Sequence, residues 1–157
     1  MSSAAIQDFY PDDTSHCFGC GRLNSEGYHL KTRWNPQHPD ETIAEFVPRS
    51  YHTAIPGFVY GGLVASLIDC HGTGSAAAAG YRAEAREPGT EPPLRYVTAS
   101  LKVDYLKPTP LGPPLVLRGR IAEVKGRKVV TDVSFSVEGV ETARGQVVAV
   151  RLPDTMA

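Results

Sequence analysis

The sequence predicts an α+β fold in which an antiparallel six-stranded sheet buries one face against a single long helix. Six stretches read as strands, three of them with clear apolar/polar alternation, while only one stretch has the length and character of a helix. The turns between the last three strands are short enough to require antiparallel pairing.

Taken in order, Tyr28 to Trp34 sets Tyr28, Leu30 and Trp34 on one side and His29, Lys31 and Arg33 on the other, as a half-buried strand does. Glu41 to Val47 follows as a weaker strand. Between them Asn35-Pro36-Gln37-His38-Pro39 is turn chemistry, so the two form a hairpin with a longish loop. Pro48 and Pro56-Gly57 end strand structure, and from Gly61 to about Gly80 the sequence reads LVASLID and then an alanine run. The small residues of this helix let neighbouring backbone approach closely. Each interior glycine costs a helix about 1 kcal/mol, so this one forms only if other elements enclose it. After a proline-rich loop, Val97 to Tyr105, Leu115 to Val124, Val129 to Val137 and Ala143 to Val150 supply four strands. Lys125-Gly126-Arg127 and Glu138-Gly139 are the tight turns of the closing meander.

A chain of 157 residues has the size of one domain, spanning 1–157, with residues 1–15 expected as an extension ordered only in an oligomer. A net charge of −1 with dispersed Lys and Arg offers no phosphate-neutralising surface, so nucleic acid is not an expected partner. The first residues turn acidic with no basic start and apolar run. The Lys- and Arg-poor stretch from Phe58 to Gly80 contains Asp69, His71 and several glycines, too polar for a membrane span. A cytoplasmic protein without membrane contact is expected. Three cysteines without framework spacing fit a reducing compartment. Cys17-x-x-Cys20, with His16 and His29 nearby in sequence, has no second ligand pair at a defined distance, so it reads as a packed loop. Neither metal nor cofactor is expected.

Several motifs together carry a family resemblance. The segment HCFGCGRLNSEGYHL from His16, the PGFVYGG turn into LVASLID, and the strand VTASLKVDYLKPTPLG resemble the hotdog-fold thioesterases of the phenylacetate-degradation (PaaI-like) type, from about His16 to Leu152. The resemblance implies a sheet wrapped around the central helix, hydrolysis of an acyl-CoA thioester, and a homodimer or homotetramer with sites shared between subunits. It also implies a His-Gly-Gly helix entry with an acidic residue nine positions after the His. Here the acid is Asp69, and Tyr60 stands where the His is usual.

By themselves, Gly61 and Gly62 open a helix whose first amides have no intrahelical acceptor and whose dipole is positive there. They form either an oxyanion hole for a thioester carbonyl or a tight loop-to-helix turn. Asp69, flanked by Leu67, Ile68 and Cys70, is costly to bury alone. It acts as general base, as nucleophile, or as a hydrogen-bonded interior acid. Ser66 and Thr73 share its helix face and extend a polar stripe toward substrate. Tyr60 donates a hydrogen bond or packs at the helix entry, but does not titrate near neutral pH. His71, two residues from Asp69, points away from it and reads as packing or a hydrogen bond at a subunit contact. By resemblance, Thr98 holds the attacking water and Asn24 lines the acyl pocket, unless they fill a sheet face and a loop. Lys107, Arg127 and Lys128 lie near turns where CoA phosphates would meet them. Two other readings compete: a non-hydrolytic acyl-CoA binding or regulatory protein, favoured by Tyr60, and a hydratase or dehydratase, which lacks a His opposite Asp69.

Overall fold

Described for residues 4–153 by a computed structural model, the period-two segments pair into one sheet. The strands are β1 (Arg33–Asn35), β2 (His38–Phe46), β3 (Tyr96–Tyr105), β4 (Leu115–Lys125), β5 (Lys128–Val137) and β6 (Val140–Arg151), with one α-helix, α1 (Gly61–Ala83), between β2 and β3. The sheet order is β1-β2-β4-β5-β6-β3, antiparallel throughout. β3 therefore closes one edge as a ten-residue strand, with one side unpaired among the described residues. Among the described residues no helix is long and apolar enough to cross a membrane.

The small side chains of α1 do what their composition predicts. The helix packs across β3, β4, β5 and β6, and Leu63, Leu67, Ile68 and Ala76 are fully buried against Leu117, Val129, Phe135 and Val147. Closest approach is at Gly72, where an added Cβ would lie 2.4 Å from the Val147 Cβ. His71 enters the core one residue earlier. Its Nδ1 lies 3.0 Å from Thr32 Oγ1 and its Nε2 3.1 Å from Thr42 Oγ1, while Thr42 Oγ1 also meets Ser75 Oγ at 2.6 Å. This polar knot is satisfied inside one chain, not at the expected subunit contact. Burial pushes the His71 pKa down from the usual 6.5 to about 3.

The first hairpin differs from expectation. β1 spans three residues instead of the expected seven-residue strand, because the preceding segment spends its hydrogen bonds elsewhere. Tyr28 N donates to Phe18 O at 2.9 Å and Leu30 N to Gly19 O at 3.0 Å, while Thr32 exchanges bonds of 2.8 Å with the Gln7 side chain and the Ile6 amide. Part of the 1–15 segment is thus tied down within the single chain, residues 1–3 lying outside those described. The β1–β2 loop shrinks to Pro36-Gln37, since β2 starts at His38. Pro39 is tolerated inside β2 because pairing with β4 begins only at Glu41. At the far end, α1 runs three residues beyond Gly80 and the Arg82 guanidinium stacks 3.3 Å over the Trp34 ring.

Two stability measurements follow from this packing. Gly72→Ala should destabilise by about 1–2 kcal/mol in urea denaturation, because overpacking against Val147 outweighs the helix propensity gained. A stabilised variant would mean slack spacing between helix and sheet. For His71, the unfolded chain binds the extra proton between pH 6.5 and about 3. Its stabilising effect is therefore complete above pH 6.5 and erodes as the pH falls, by up to about 1.4 kcal/mol per pH unit. His71→Gln should flatten the pH dependence of urea stability in this window, and an unchanged slope would contradict the assignment.

Candidate functional site

Two chemically distinct features lie on α1, both near the β3 edge. The first is the helix start. Tyr60 is its N-cap (φ −73°, ψ 143°) and supplies no side-chain cap. The Leu63 amide closes onto Tyr60 O at 3.1 Å, whereas the Gly61 and Gly62 amides have no acceptor among the described residues. Tyr60 is fixed by its amide, which donates to His52 O at 3.1 Å, and its ring folds over Gly62. Its phenol approaches that of Tyr28, which burial and then Tyr60 push above the usual tyrosine value. From the sheet side, Tyr105 donates its hydroxyl to Gly61 O at 2.6 Å. Sequence reading missed Tyr105, although its place at the end of the clearest strand, on the face of Leu101 and Val103, was a usable signal.

The second feature is Asp69, half-exposed at the rim of α1, with Thr98 of β3 donating its hydroxyl to an Asp69 oxygen. Simple alternation along β3 would turn Thr98 away from α1. Leu101 pairs with Val147 and Val103 with Gly145, and the Val147 side chain and the Gly145 backbone both meet α1, so odd-numbered positions face the helix there. A register shift between Thr98 and Ser100 inserts Ala99 as an extra residue and reverses the parity before it. The bulge thus aims Thr98 at Asp69, a common use of bulges beside functional sites.

The remaining predicted positions separate. Ser66 is half-exposed and donates to Gly62 O at 2.8 Å. Thr73 is buried with its hydroxyl on Cys70 O at 3.1 Å, so the expected polar stripe is open at Ser66 and Asp69 but closed at Thr73. His71 is inside the core, away from Asp69. Asn24 serves its own loop, donating to His16 O at 3.2 Å and accepting from the Glu26 amide at 3.1 Å. Lys107 follows β3 at the helix-start end of the sheet. Arg127 and Lys128 sit at the opposite end, where Arg127 donates to Arg151 O at 2.8 Å and Arg151 reaches Glu84 beyond the helix terminus, also at 2.8 Å. Within one chain these basic groups do not converge.

Nor do the two features on α1. Eight residues separate Gly61 from Asp69, about 12 Å along the axis at ~1.5 Å per residue, whereas reacting atoms must come within about 3–3.5 Å. A carbonyl held by the glycine amides is thus beyond the reach of Asp69 in the same chain.

Comparison with known proteins supplies the family. A thioesterase superfamily protein of known structure from Shewanella loihica PV-4 is 47% identical, with a TM-score of 0.68 over 92% of this chain and 100% of that one. Acyl-coenzyme A thioesterase THEM4 of Xenopus laevis is 33% identical over 90 residues, 57% of this chain and 34% of the frog protein. The rat THEM4 match is 28% over 95 residues, covering 60% of this chain and 35% of that protein, so the chain spans about a third of these curated relatives. The PaaI protein of the E. coli phenylacetic acid degradation operon, 14% identical over 73% of this chain and 74% of its own, shares the fold with a TM-score of 0.59. The family profile described as the thioesterase superfamily matches residues 56–144, a span holding Gly61, Gly62, Asp69 and Thr98. The chain belongs to the thioesterase superfamily and adopts its hotdog fold.

Proposed function

We propose that this protein hydrolyses an acyl-CoA thioester to the free acid and CoA, at a site that two copies of the chain complete together. The observation that carries the reading is the Thr98–Asp69 pair on an unpaired sheet edge, about 12 Å along the helix from glycine amides with no acceptor. Each half supplies what the other lacks. In the assembled site the thioester oxygen lies against the Gly61 and Gly62 amides of one copy, where the helix dipole favours the developing oxyanion. Asp69 of the other copy takes a proton from a water held by the Thr98 hydroxyl. That water attacks the carbonyl carbon, the C–S bond breaks, and CoA leaves as the thiol after protonation. A direct attack by the Asp69 carboxylate, giving a mixed anhydride that water then hydrolyses, uses the same geometry. Label recovered in Asp69 after single-turnover hydrolysis in ¹⁸O-water identifies the anhydride route, because water activated by a general base never enters the carboxylate.

Tyr60 supports a role as hydrogen-bond donor beside the glycine start, its ring already folded over Gly62. It also favours a second reading, a non-hydrolytic acyl-CoA binding or regulatory protein, since a tyrosine stands where the resembling hydrolases carry a histidine. Tight binding of CoA esters without thiol release identifies that alternative. The reading assigns the reaction to the cytoplasm, and three cysteines without framework spacing support a reducing compartment.

Assayed with a panel of acyl-CoAs and a thiol-detecting reagent, Asp69→Asn is expected to lower kcat by about 10²–10⁴-fold, and Thr98→Ala by less. Wild-type hydrolysis that survives Asp69→Asn undiminished rules out the proposed role. In solution the protein should be a dimer or a dimer of dimers joined along β3, whose Val97, Leu101 and Tyr105 are exposed in one chain. A monomer by light scattering at micromolar concentration would contradict the shared site.

A further inference from the structure

Cys17 and Cys20 do not pack as a simple loop pair. They meet Cys70, which follows Asp69 on α1 and stands 53 residues from Cys17 in the sequence. The three sulfurs lie within 4.8 Å of one another, and Cys17 Sγ is 3.7 Å from Cys70 Sγ. A tetrahedral metal with sulfur ligands at about 2.3 Å has sulfur–sulfur edges of about 3.8 Å, so one edge of such a site is already set. A disulfide requires about 2.05 Å and uses two sulfurs, leaving the third stranded. The loop backbone also presses on the cluster, since a Cβ on Gly19 would lie 2.3 Å from Cys70 Sγ.

Two surrounding features point to a ligand. The Tyr10 hydroxyl, on a residue 3% exposed, has no hydrogen-bond partner among the described residues, yet it feels the charge of all three cysteines. An unpaired hydroxyl at that depth is costly unless something in the cluster engages it. The Arg95 guanidinium stacks 4.3 Å over the Tyr10 ring and sets a fixed positive charge beside the cluster. A divalent ion with three thiolates carries one net negative charge, which Arg95 offsets. Cys17 is the half-buried member of the three, so the cluster is open to solvent on its side. The cluster draws Cys17 and Cys20 from outside the residues that match the superfamily profile.

We infer that Cys17, Cys20 and Cys70 form a binding site for a thiophilic d¹⁰ divalent cation, zinc, held by three thiolates with a fourth, exchangeable ligand on the Cys17 side. Binding displaces the protons that remain on the thiols and clips the N-terminal loop to α1 directly behind Asp69. The site is independent of the hydrolytic reading, because its readouts are metal content and spectra.

The test uses full-length protein expressed with zinc and purified without chelator. Elemental analysis should give about one zinc per chain. Cobalt added to the apoprotein should produce thiolate-to-metal charge-transfer absorption and the strong visible bands of tetrahedral cobalt. Cys17→Ala and Cys70→Ala should weaken cobalt binding by on the order of 100-fold or more. Chelator should lower the Tm of the wild type and leave that of the variants unchanged. Wild-type protein that arrives metal-free, takes up no cobalt and titrates three free thiols would overturn the inference, as would a disulfide within the cluster found by mass spectrometry. Because the wild-type cobalt titration decides the matter alone, a variant that fails to fold does not shelter the proposal.

Discussion

The structure depends on how closely one helix lies on its sheet. At Gly72 the backbone of α1 comes so near Val147 that no side chain fits between them, and this contact sets both the depth and the axial position of the helix. Close-packed interiors hold such positions to fractions of an ångström. The buried Leu63, Leu67 and Ile68 fix the rotation of the helix about its own axis, and the His71–Thr32–Thr42 knot confirms it with directional bonds. Everything chemical on α1 inherits its placement from that seating.

The seating also fixes how far apart the two features of α1 stand. A helix with its glycines at the start and its acid two turns later cannot fold the two onto one carbonyl, whatever its side-chain rotamers, because the rise per residue is fixed. The chain therefore presents the two features apart, both near β3, a strand paired on one side only among the described residues. The Ala99 bulge belongs to the same logic: without the extra residue, the Thr98 hydroxyl would face away from the carboxylate it now meets.

Much of this was legible in the sequence. Alternation located β3 and β5 and overlapped β1 only at Arg33 and Trp34, runs bounded by turn signals located β2, β4 and β6, the small-residue run located the helix, and the family resemblance drew attention to Asp69 nine positions after Tyr60. What escaped reading was of two kinds. Hydrogen bonds from the N-terminal segment to Thr32, and from the loop around Gly19 to Leu30, replaced ladder bonds that periodicity alone assigns to β1. Convergences across long separations, such as Cys70 with Cys17 or Tyr105 with Gly61, leave no local pattern. The bulge was hidden for a related reason, since one inserted residue in an alternating strand looks like uninterrupted alternation when neighbouring residues are of mixed polarity. Thr73 was misplaced because an interval of four residues on a helix identifies a shared face but not the point where that face passes beneath a strand.

Asp69, Cys70 and His71 are consecutive, and each step along α1 turns about 100°. The carboxylate reaches the rim, the sulfur the N-terminal loop, and the imidazole the interior. A single turn thus works like the bit of a key, with three teeth engaging three different wards. Any twist of the shaft that eased one fit would spoil the other two, so drift at any of these contacts is resisted by surroundings that have no chemistry in common with it.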